Sequence, residues 1–140
     1  MASARKSDVE SLDAIIRASY EVMGGKAGEP RDWERFRSLF VEGARMMPVI
    51  SRPEPMVRVL SPEEFIGRVT PILATEHFFE RELGRQTETI GRMAHVLSQY
   101  ESLRDPAGPA FEQGTNSMQL FNDGERWWIV SIMWNTAREK

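Results

Sequence analysis

The chain has 140 residues, with 18 basic and 21 acidic side chains, a formal charge of −3 and no cysteine. That length suffices for one domain with its own core, and the lack of cysteine excludes disulfides, thiolate nucleophiles and cysteine-ligated metals. Near-balanced charge without a Lys/Arg block argues against nucleic-acid binding, which rests on neutralising phosphates.

Met1-Ala2-Ser3-Ala4-Arg5-Lys6 runs into Ser7-Asp8 with no apolar core behind it, and no apolar run approaches bilayer length. The expectation is a cytoplasmic protein without a membrane partner, a single domain over 1–140 with 1–7 frayed. Ser7-Asp8-Val9-Glu10 reads as a capping box opening a first helix. Leu12, Ile15, Ile16, Ser19, Val22 and Met23 give it one buried face, and Gly24-Gly25 ends it. A second helix starts at Asp32, with Trp33, Phe36, Leu39 and Phe40 on one side, and Gly43 stops it.

Arg45–Ile50 and Met56–Leu60 read as short strands around a proline turn, Ser51-Arg52-Pro53-Glu54-Pro55. Ser61-Pro62-Glu63-Glu64 starts a third helix, which Pro71 is predicted to end or kink near Thr70. From His77 to Thr89 the pattern is extended, and Gly91 is the hairpin tip leading into Met93–Leu103. Thr115–Asn122 and Arg126–Ala137 complete the set, punctuated by Asp105-Pro106-Ala107-Gly108-Pro109 and Asn122-Asp123-Gly124. Helices first and strands late describe an α+β domain whose curved antiparallel sheet wraps helices and leaves a cavity.

Strand parity then sorts the side chains. Counting from Gly91, Phe79, Leu83, Arg85 and Thr87 share a face with Ala94, Val96, Ser98 and Tyr100. That face is the more apolar and is expected to be concave. Glu80, Glu82, Glu88, His95 and Glu101 fall on the other, and Glu80 with Glu82 reads as a solvated stripe. A bulge would invert the assignment over part of a strand. In the last hairpin both faces are apolar, one of them carrying Trp128, Val130, Ile132 and Trp134. A sheet covered on one side only does not need this, so a homodimer joined through sheet faces is expected.

The element order, with Ala94-His95-Val96, Ser98, Tyr100-Glu101-Ser102, Arg104, Gly114, Asn116-Ser117, Gln119-Leu120, Gly124 to Val130 and Trp134, resembles the nuclear transport factor 2-like (SnoaL-like) superfamily, in an uncharacterised bacterial branch. The likeness runs roughly from Val9 to Thr136. It implies a cone-shaped α+β fold, three N-terminal helices on a strongly curved mixed or antiparallel sheet of about six strands, usually homodimeric, with a pocket between helices and sheet. Ketosteroid isomerases, scytalone dehydratases and polyketide cyclases belong to that superfamily.

Candidate chemistry follows from the same faces. His95 could act as a general base oriented by Glu88 or Gln86 across the hairpin, or could sit on the outer face at a dimer interface. Tyr100, a catalytic candidate, shares the concave face with Ser98 and Arg85; its hydroxyl could polarise a carbonyl, as a tyrosine does in the isomerases the chain resembles, or simply end in a backbone hydrogen bond. Tyr20 offers a second hydroxyl, and Arg85 could hold an anionic group. Trp33, Phe36, Phe40, Met46, Met47 and Trp134 line a pocket or fill the core. Asp8, Asp13, Asp32, Asp105 and Asp123 sit at caps, exposed helix positions and turns, so no aspartate supplies the carboxylate base of an isomerase. His77 and His95 give no reason to pair as in scytalone dehydratase, and no set has metal-ligand spacing. The expected function is binding of a small hydrophobic or aromatic molecule, without cofactor or metal, with isomerase or lyase activity as its catalytic form. The alternative is a non-catalytic homodimeric protein-interaction module.

Overall fold

Two short helices stand where the sequence suggests one. In the computed structural model, which describes residues 3–137, α1 spans Lys6–Val9 and α2 spans Leu12–Glu21. Of the residues expected to fray, Met1 and Ala2 lie outside the described range, while Lys6 and Ser7 are helical. The Ser7–Glu10 capping box does not form. Instead Ser11, in extended backbone, caps α2 by accepting from the Ala14 N–H at 3.0 Å. Asp8 turns inward, where Arg35 grips both its oxygens at 2.9 Å, and that partly buried pair ties α1 to the helix that carries Arg35.

Asp32 caps α3 (Trp33–Arg37) through the Arg35 N–H. The helix ends before Leu39, and Phe40 already opens β1 (Phe40–Ile50). Gly43 therefore does not stop a helix; it takes φ +82° at a register break inside β1, a conformation only glycine adopts cheaply. β2 (Met56–Val57) pairs antiparallel with the end of β1. The capping box of α4 (Pro62–Leu73) is complete: Glu64 N–H donates to Ser61 Oγ and Ser61 N–H donates to the Glu64 carboxylate. Pro71 lies within the last turn rather than ending it at Thr70, since one missing donor near a terminus costs the helix little.

β3 (Phe79–Ile90), β4 (Met93–Leu103), β5 (Ala110–Asn122) and β6 (Trp127–Ala137) form an antiparallel meander. Gly91, at φ +57°, makes the tight turn between β3 and β4. β1 joins β6 in parallel, so the six strands run β2-β1-β6-β5-β4-β3 in a curved mixed sheet wrapped around the helices. This is the α+β cone expected from the sequence. Ile15, Ile16 and Leu39 on the helical side meet Val96, Met118, Leu120 and Ile129 of the sheet, all essentially without solvent contact.

Two bulges decide which side chains face inward. From the Gly91 tip, Thr87 pairs with Val96 and Arg85 with Ser98, as parity predicts. Leu83 is then an extra residue with no partner on β4, and beyond it Glu82 pairs with Tyr100 and Glu80 with Ser102. The predicted faces are thereby exchanged over the first half of β3. Glu80 and Glu82 move to the concave side, while Leu83 is turned out and exposed. In the last hairpin Gln119 pairs with Ser131 but Leu120 with Ile129, leaving Val130 unpaired. Ile132 and Trp134 consequently face inward beside Met118 and Asn116, not outward with Val130.

Candidate functional site

A cavity of about 340 Å³ opens between the concave face of the sheet and α2, α3 and α4. Most of its wall is apolar. Phe36 stacks on Phe65 at 5.8 Å between ring centres, and Phe65 meets Trp134 edge-on at 5.6 Å. Met46, Val69 and Ile132 fill the spaces between these rings. The polar groups gather at one end: Glu80, Glu112, Tyr20, Tyr100 and Asn116.

Glu80, Ser102 and Glu112 form one row across β3, β4 and β5. Burial lifts the Glu80 carboxyl from its ordinary 4.5 to about 8, and the negative charge of Glu112 pushes the same way. The Ser102 hydroxyl is the neighbour that opposes the rise. Its opposition is the smaller effect, so burial wins. Glu80 keeps some surface, and it is a wall of the cavity. A carboxyl group in this setting holds its proton at neutral pH and can release it within the ordinary pH range.

One residue pair along, the Tyr100 ring lies against β5 at Gly114, where an added Cβ would stand 2.5 Å from Cζ and overlap the hydroxyl. Glycine at that position is what lets the ring lie flat there. Burial first, then the nearby Glu80 and Glu112 carboxyls, pushes the Tyr100 phenol well above its ordinary 10.0. Its hydroxyl makes no hydrogen bond to any described residue, although the side chain is a cavity wall. Tyr20, with its ring 6.1 Å from that of Tyr100, is in contrast fully engaged. It meets Ser98 Oγ at 2.7 Å and Asn116 Nδ2 at 2.9 Å, and burial pushes it up to about 12. Behind it Ser98 donates to Glu82 at 2.6 Å, and Glu82 is held by Arg85, which also pairs with Asp13.

Of the residues singled out from sequence, Tyr20, Phe36, Tyr100 and Trp134 line the cavity together. Ser98 lies directly behind Tyr20 and is fully buried. Arg85 is committed to Glu82 and Asp13 and does not line the cavity. Trp33 packs edge-on against Phe36 but lines a separate cleft of about 140 Å³ beside Arg31. His95 is on the opposite face of the sheet, hydrogen-bonded to Ser117 Oγ at 3.0 Å, with Glu88 as its cross-strand neighbour. Glu80, Glu112 and Asn116, like Phe65 and Val69 of the apolar wall, are cavity residues that sequence reasoning did not select. Gly84, next to Leu83 in mid-strand, was the available signal, because an interior strand glycine often marks a bulge. Among the described residues no group of three His, Asp or Glu could hold a metal ion, and no helix is long and apolar enough to cross a membrane.

No family model matches the chain, and no curated protein matches it in sequence. Solved structures do match it. A nuclear transport factor 2-like protein of unknown function from Silicibacter pomeroyi aligns with a TM-score of 0.63 at 17% identity, over 91% of this chain and 94% of that one. The chain has the nuclear transport factor 2-like fold. A proposed dehydratase of this fold family from Streptomyces avermitilis is similar at TM-score 0.65 and 19% identity, covering 96% of this chain and 99% of the other. A proposed ketosteroid isomerase from Parabacteroides distasonis follows at 0.59 and 13%, covering 97% and 96%. At these identities the likeness is one of fold.

Proposed function

We propose that this NTF2-like chain binds a small, uncharged hydrophobic or aromatic molecule in the cavity and moves a proton on it, as a cofactor-independent isomerase or lyase. The observation that carries the reading is a proton-holding carboxyl, Glu80, on the same face as a phenol, Tyr100, that bonds to no other described residue, at the polar end of an aromatic-walled cavity. In this reading Glu80, once it has released its own proton to solvent, removes a proton from the substrate and returns it, and Tyr100 donates a hydrogen bond to the oxygen on which charge develops. The apolar wall of Phe36, Phe65 and Trp134 holds the body of the substrate and keeps the site dry. Among the described residues no basic side chain lines the cavity, in keeping with an uncharged ligand. His95 has no part in this chemistry. Solved structures of the same fold include proteins described as a dehydratase and a ketosteroid isomerase, which supports the reaction class.

The test is deuterium uptake from heavy water next to the carbonyl of cyclic hydroxyketones and hydroxyenones, followed by proton NMR. Uptake above buffer that disappears in Glu80→Gln supports the reading; uptake equal in that variant refutes it. A second reading, a homodimer acting as an interaction module, draws on the outer sheet face. There Leu97, Ser117 and Met133 form one row, and the exposed Phe121 lies nearby. Sedimentation should show a dimer that Leu97→Lys with Met133→Lys dissociates; a monomeric starting protein removes this reading.

A further inference from the structure

The polar end of the cavity is built from a hydrogen-bond chain with a direction. Glu82 is clamped by Arg85 through Nε at 3.0 Å and Nη2 at 2.7 Å, and Arg85 is anchored in turn by Asp13. A carboxylate so paired can only accept, so the Ser98 hydroxyl donates its one hydrogen to Glu82. Ser98 Oγ must then accept from Tyr20, whose own hydrogen is used. The Tyr20 oxygen can meet the Asn116 amide only as an acceptor, which requires the Nδ2 end of that amide. Every orientation follows from the ion pair at the far end.

Two consequences reach the cavity. Tyr20, although it lines the wall, has no hydrogen left to donate. One Nδ2 hydrogen of Asn116 is spent on Tyr20, which fixes which end of the amide is which; Oδ1 accepts from no described residue and is the acceptor left to a ligand, beside the second Nδ2 hydrogen. Across the polar end, the Tyr100 hydroxyl supplies a donor.

We infer that the ligand of this cavity carries a hydroxyl or N–H group that donates to Asn116 Oδ1, and that Ser98 and Glu82, without touching the ligand, are the positioning residues that present that oxygen. The inference rests on the cavity being the binding site. It narrows the ligand class to neutral aromatic or alicyclic alcohols, phenols and their N–H counterparts. An ether or ketone of the same shape offers only acceptors and would leave Oδ1 unpaired.

Two measurements separate the direction of the chain from ligand binding. The protein has two tyrosines, so Tyr100→Phe leaves Tyr20 as the sole tyrosine. Its Raman Fermi doublet should read a phenol that both donates and accepts. Adding Ser98→Ala should move it towards acceptor-only, and adding Asn116→Leu instead should move it towards donor-only. A doublet indifferent to both changes overturns the chain's direction, and either variant alone suffices if the other does not fold. Binding is then followed through tryptophan fluorescence with 1-naphthol and 1-methoxynaphthalene. Naphthol should bind about tenfold tighter, the worth of one well-made hydrogen bond to a buried acceptor. In Ser98→Ala and Asn116→Leu that preference should fall to about twofold or less, while the ether binds as before. Equal affinities in the unmodified protein, or a preference that survives both variants, overturns the ligand class. If neither probe binds, the cavity reading and the ligand class fail together, while the Raman result still decides the chain.

Discussion

Replacing Glu80 by Gln should change how stability responds to pH. The folded-state value of about 8 lies above the ordinary 4.5, so the folded protein holds this proton more tightly than the unfolded chain. Stability from this group is therefore complete below about pH 4.5, drains as pH rises, and levels off above about pH 8. Within that window the slope is about −1.4 kcal/mol per pH unit. The interval is 8 − 4.5 = 3.5 units, which sets a ceiling on the order of 5 kcal/mol lost by pH 9. Glutamine keeps the shape, stays neutral throughout and lacks this slope. Urea unfolding followed by tryptophan fluorescence from pH 5 to 9 is the assay. The two proteins should have similar stability at pH 5, and Glu80→Gln should be the more stable at pH 9, by less than that ceiling because Glu80 keeps some surface. Because both share every other titrating group, the difference isolates this one. Parallel profiles would refute the claim that Glu80 is buried with its proton, and with it the chemistry proposed for the cavity.

Gly114→Ala forces the Tyr100 ring off β5 and should cost about 1–3 kcal/mol. Combining it with Tyr100→Leu should recover part of that loss in a double-mutant cycle of urea midpoints. Asp8→Ala leaves a half-buried Arg35 with only Glu21 as partner and should cost roughly 3 kcal/mol by thermal unfolding. Arg35 holds the Asp8 carboxyl below its ordinary 3.8, so the stability it contributes is present above that pH and lost on further acidification; Asp8→Ala should flatten the acid limb of the profile. Ser61→Ala removes one half of the α4 capping box and should cost about 1 kcal/mol, with little change in ligand binding, because Ser61 is not part of the cavity wall.

Local chemistry made much of the fold legible. The α4 cap was readable because Ser61, Pro62 and Glu64 act on their own backbone, and the tight turn because Gly91 alone tolerates its φ. The Ser7 box failed because a remote partner, Arg35, drew Asp8 away, which no local pattern reveals. Tyr100 could be marked as a cavity candidate from its face, and Tyr20, Phe36 and Trp134 from residue type and fold resemblance. Glu80 could not, since a glutamate in an alternating Glu/Arg run looks like a solvated stripe.

Sequence alone located most of each long strand and the helix starts at Asp32 and Ser61, and required a sheet to wrap helices, because those follow from propensity, capping and hydrophobic spacing between near neighbours. Only the tertiary structure decided which charges the cavity contains. Side chains alternate sides along a strand, so facing depends on an uninterrupted count from the turn, and the single unpaired Leu83 reverses it for everything before. Whether a residue is left out of the ladder is settled by how two whole strands curve together, and that is how Glu80 comes to share the concave face with Tyr100.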